Sequence, residues 1–151
     1  MIKFRIKKIA FFAFKSILFV IIFSFQFAVA GDQDTALDPS STAALSQTQS
    51  LLNNPNQRQQ NINKNGGDAK KADDFVKQLT GSAPVSNDIY ALAAEVFGAV
   101  VQNCHGDPVK MAAALQEFQK NPEAFAASWT PEQKKKLHDL SLRVPTSINK
   151  Q

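Results

Sequence analysis

Cys104-His105-Gly106-Asp107 is a stretch where a thiol, an imidazole and a carboxylate stand almost side by side, the groups from which an activated nucleophile, its base and an orienting acid are built. Cys104 is the chain's single cysteine, and His105 and His138 are its two histidines. These three are the catalytic candidates. The spacing does not assemble them: adjacent helical residues point about 100° apart, and a working thiol–imidazole pair is usually brought together from distant positions. Ordinary helix punctuation accounts for the same four residues. Cys104 packs, His105 meets the helix C-terminal dipole, Gly106 ends the helix and Asp107 caps the next one.

A lone cysteine forms no disulfide within its own chain. Cys104 can be a buried small residue, a free thiol, half of an intermolecular disulfide in a homodimer, or a member of a metal or catalytic site. Its place on an apolar arc with Phe97 and Val100 favours burial. No metal or cofactor site is expected, because Cys-x-x-Cys and His-Glu-x-x-His are both missing from the sequence. Gly-x-Ser-x-Gly and a phosphate-binding glycine loop are missing as well. Asp73-Asp74 reads as a solvated helix face. Lys134-Lys135-Lys136 fans around a helix axis and forms no single patch.

The address of the protein is more legible than its chemistry. Residues 1–15 hold five basic residues and no acid, and Ser16 to Phe27 then runs nearly apolar into Ala28-Val29-Ala30. This is the outline of a secretory signal peptide over 1–30, cleaved between Ala30 and Gly31. The alternative, an uncleaved anchor, needs about 20 uninterrupted apolar residues, and Lys15 breaks the run. Subtracting the leader takes five of the 17 basic residues and eight of the 12 phenylalanines. The remainder carries 12 basic against 13 acidic residues, a net of −1. The overall charge of +4 therefore gives no support to nucleic-acid binding, and no stable membrane association is expected after cleavage.

After the leader, residues 31–67 hold no aromatic residue and are rich in Gln, Asn and Ser, a composition that predicts a disordered arm. From Asp68 the apolar spacing turns helical. Ala72, Phe75, Val76 and Leu79 mark one helix, stopped by Gly81; Ser86 is the expected cap of a second, from Asn87 to about Cys104, that is apolar around most of its circumference. Asp107-Pro108, Asn121-Pro122 and Thr130-Pro131 each place a side-chain acceptor before a proline and start three more. Gln133 completes a capping box with Thr130. The expectation is all-α: about five short helices in a domain over 68–145, with Phe97 and Trp129 as core anchors and a loose tail over 146–151.

Trp129-Thr130-Pro131-Glu132-Gln133 is similar, over five residues, to the Leu-Thr-x-x-Gln motif of small periplasmic stress chaperones. Trp129 replaces the leucine, no second copy occurs, and the capping box explains the same letters. Export, small size and missing catalytic motifs together point to a protein-binding or accessory protein of the bacterial periplasm without catalytic activity. A released effector, a periplasmic stress chaperone or sensor, and a small thiol enzyme using Cys104 are the alternatives.

Overall fold

Proline behind a capping residue starts five of the seven helices in the computed structural model, which describes residues 37–145. Helix α1 spans Pro39–Asn53, α2 Pro55–Asn65, α3 Gly67–Thr80, α4 Ala83–Asn103, α5 Pro108–Lys120, α6 Pro122–Ala127 and α7 Pro131–Arg143. The described residues contain no strand, so the fold is all-α. The Asp107 carboxylate accepts from the amides of Val109 and Lys110, and Asn121 accepts from Ala124. Thr130 and Gln133 exchange both bonds of a capping box. Each such cap contributes about 1 kcal/mol, and proline in the first turn lacks only an amide hydrogen that would have no helical partner.

The same device starts α1 and α2. Asp38 accepts from the amides of Ser40 and Ser41, and Asn54 from those of Asn56 and Gln57. The Ser40 and Ser41 hydroxyls also bond the Asp38 carboxyl and hold it well below the usual carboxylate range. Within the expected disordered arm over 31–67, residues 39–65 form two helices instead, which makes seven among the described residues rather than about five, while residues 31–36 lie outside the described residues. Helix α1 needs little apolar surface of its own because α4 supplies it, and α2 packs on α1 and α3. The leader over 1–30, its cleavage point at Ala30 and Gly31, and the tail over 146–151 lie outside the described residues.

Helix α4 is the axis of the fold and packs against α1, α3, α5 and α7. Val85, Ile89, Tyr90, Leu92, Ala93, Val96, Phe97, Val100 and Val101 are all buried on it, which is why its apolar residues cover so much of its circumference. Its start is a correction. Helix α4 begins at Ala83, with Ser82 as N-cap and Pro84 in the first turn, so Ser86 lies inside the helix. There the buried Ser86 hydroxyl pairs with that of Thr80 at 2.6 Å and donates to the Ser82 carbonyl.

The exposed acids of α4 register α7. Asp88 pairs with Arg143 at 2.6 Å and Glu95 with Lys136 at 2.5 Å, so the two helices run antiparallel. Exposed pairs contribute about 1 kcal/mol at most, and their main effect is alignment. Phe118, Phe125 and Trp129 form an aromatic chain with centroid separations of 4.9 and 6.2 Å, which ties α5 and α6 to the entry of α7. Phe97 and Trp129 are both buried.

On its other side α1 approaches α4 and the turn that follows it over two glycines, Gly98 and Gly106. A Cβ at Gly98 would stand 2.6 Å from Nε2 of Gln49, and one at Gly106 would stand 2.9 Å from Cβ of Ser41. Gly106 also has φ 73°, a backbone conformation other residues seldom adopt. The missing side chains are what allow α1 to approach.

Candidate functional site

The structure separates the candidate catalytic residues. Cys104 caps the end of α4, is 8% exposed and belongs to the main core. Burial, followed by the nearby Asp107, pushes its thiol pKa up, with Lys110 opposing; a thiol held in its protonated form is a poor nucleophile. His105 is exposed with φ 53° and turns away at the chain reversal. His138 lies on α7 between the two residues pinned by Glu95 and Asp88, while Cys104 stands nine residues beyond Glu95, on the order of 13 Å farther along the axis. Among the described residues no group of three or more His, Cys, Asp or Glu side chains could hold a metal ion.

This geometry makes Cys104 a packing residue. Alkylation of the native protein should proceed only as fast as the end of α4 opens, and non-reducing electrophoresis should show a monomer. Rapid native alkylation or a covalent dimer band would contradict that assignment.

A second cluster was not legible as a site. The Arg58 guanidinium on α2 donates to the carbonyl of Leu52 at 2.6 Å and to Oδ1 of Asn87 at 2.7 Å. It also lies 3.9 Å over the Tyr90 ring. The Tyr90 hydroxyl donates to Oδ1 of Asp73 at 2.9 Å, and Lys77 pairs with the other carboxylate oxygen at 2.6 Å. Arg58, Asp73 and Tyr90 are all buried, so Asp73 is no solvated residue, unlike its neighbour Asp74. Each polar group of this cluster has a partner, the condition under which burying it is tolerable. It joins α2, α3 and α4.

Tyr90 is the single tyrosine of the chain, which makes the cluster testable. Burial first, then the Asp73 charge and its hydrogen bond, push the Tyr90 pKa far above its ordinary value of 10.0. Above about pH 10 the unfolded chain loses this proton and the folded one keeps it, so the folded state binds more protons. Stability should be intact below pH 10 and fall above it by about 1.4 kcal/mol per pH unit from this group. Phenolate absorbance should then appear together with unfolding; ionisation near pH 10 in a chain with native circular dichroism would refute the buried pairing.

The third feature is the surface beneath α1. Phe97 and Val101 of α4 and Met111 of α5 face Ser41, Ala44 and Leu45 of α1 across a crevice with room for about one water. Helix α1 covers this apolar floor with a mixture of small, polar and apolar groups: Ser41, Thr48 and Leu52 are its buried residues, Leu45 packs partly buried, and Gln49 reaches the Ala94 carbonyl at 3.3 Å. The signal for this seat was present in Asp38-Pro39 and Asn54-Pro55, which repeat the cap–proline device of the later helices.

No protein-family model matches the chain, and no curated protein or solved structure shows significant similarity to it. None of the described helices is long and apolar enough to cross a membrane.

Proposed function

We propose that this chain is an exported helical protein of the bacterial periplasm that works by binding another protein, without catalysis of its own. The observation that supports it is the apolar floor of Phe97, Val101 and Met111 under a thin cover. The floor already accepts a helix, because α1 lies on it and meets Gly98 and Gly106 through residues eight positions apart, Gln49 and Ser41. An amphipathic partner helix, with larger apolar groups where α1 offers Ser41 and Ala44, suits such a groove. The leader-like composition of 1–30 supports export.

Crosslinking and pull-down of the native exported protein, with its N-terminus read by mass spectrometry, tests this reading. The expected result is a chain beginning at Gly31 and one protein partner crosslinked to α1, α4 or α5. A turnover activity abolished by Cys104→Ala or His105→Ala would overturn the binding role. A chain retained in the cytoplasm with Met1 in place would overturn export.

A further inference from the structure

Helices α1 and α2 are joined to the rest of the protein at points of different physical character. At their far end stand Gly66 and Gly67, each with φ 56° and nothing within 4 Å of the position a Cβ would take. That is an uncrowded joint between α2 and α3, at residues that move between backbone regions without steric cost. In the middle is Arg58, which reaches back to the α1 carbonyl of Leu52 and across to Asn87 and Tyr90 of α4. Along α1, Ser41, Ala44 and Leu45 face the floor and Gln49 reaches the Ala94 carbonyl, Leu45 is only partly buried, and Leu52 is the large apolar residue fully buried there. Helix α2 adds one more, Ile62.

We infer that α1 and α2 form a strap, hinged at Gly66-Gly67 and latched by Arg58, that lifts off α3 and α4 as a unit while α3, α4 and α5 stay folded. Segments with few buried apolar contacts open at a lower free energy than the core they lie on. Residues 39–65 bury two large apolar side chains, Leu52 and Ile62, whereas α4 alone buries Val85, Ile89, Leu92, Val96, Phe97 and Val101. A charge-assisted hydrogen bond is among the stronger polar contacts, so the Arg58 latch carries a large share of the strap's attachment. Opening uncovers Phe97, Val101 and Met111 together. The strap rests on these contacts alone and depends neither on export nor on any partner.

Hydrogen exchange read by mass spectrometry on the purified native protein tests the strap. Apart from Met1, Met111 is the only methionine, so its peroxide oxidation reports independently on the uncovered floor. In the wild type, amides of 39–65 should exchange at least about tenfold faster than those of 92–101. Arg58→Met should raise exchange of 39–65 and oxidation of Met111 by a further factor of about ten or more, with 92–101 unchanged.

Three outcomes would overturn the inference. One is exchange of 39–65 in step with 92–101 in the wild type. Another is an Arg58→Met protein with unaltered exchange. The last is a variant that loses protection in α4 and α5 as well, which would make Arg58 a support of the whole fold. Failure to capture a partner would leave the strap standing and would count against the proposed function alone.

Discussion

Replacing Phe97 by alanine should destabilise the protein by about 3–5 kcal/mol, the range for removing a buried aromatic side chain. Phe97 is 3% exposed in the middle of α4, the helix against which α1, α3, α5 and α7 all pack. The cavity would therefore open where no single neighbouring helix can move in to fill it. For a domain of this size the expected fall in Tm is more than about 10 °C. Urea titration followed by circular dichroism measures the loss directly, and an unchanged midpoint would remove Phe97 from the core.

Asp73→Ala should cost about 3 kcal/mol, because it removes the acceptor of the buried Tyr90 hydroxyl and the partner of Lys77 in one step. Asp74→Ala, one residue along, should change stability by no more than about 0.5 kcal/mol, since its pair with Lys70 is exposed on both sides. Tyr90→Phe should cost about 1 kcal/mol. The double variant Asp73→Ala/Tyr90→Phe should lose less than the sum of its parts, because no orphaned hydroxyl remains. Equal losses for Asp73→Ala and Asp74→Ala would show that the carboxylate does not hold the cluster together.

These two residues illustrate what could be read from the chain and what could not. Phe97 sits within an apolar arc long enough to mark a central helix. Asp73 stands next to another aspartate, and composition does not say which one turns inward. Register does: Asp73 shares the buried face of α3 with Val76 and Thr80, three and seven residues on. The acceptor requirement of a tyrosine on a buried helix was the matching clue on the other side.

The first two helices are hidden for a different reason. Apolar surface alone predicts disorder for residues 39–65, which carry little of it. What orders them is borrowed: caps from Asp38 and Asn54, and a floor belonging to α4 and α5. The later starts at Asp107, Asn121 and Thr130 were legible because a cap followed by proline acts within four residues and needs no tertiary partner. Ser86 misled because its hydroxyl finds Thr80 instead of an amide of its own helix. As for the candidate chemistry, neighbours in sequence, Cys104 and His105, part at the chain reversal, while the residues that meet, Arg58, Asp73 and Tyr90, come from three helices.

The repeated cap–proline junctions also limit how copies of this protein can exchange parts. Helical proteins swap elements most simply when a tight turn straightens and two successive helices fuse into one rod. Asn54-Pro55, Asn121-Pro122 and Thr130-Pro131 resist that fusion, since proline biases the residue before it away from helical geometry and removes a hydrogen bond from any helix running through. The joint at Gly66-Gly67 has no such barrier. Reciprocal exchange between two chains, if forced by concentration or heat, would therefore pass the α1–α2 segment across at that joint and leave the others as they are.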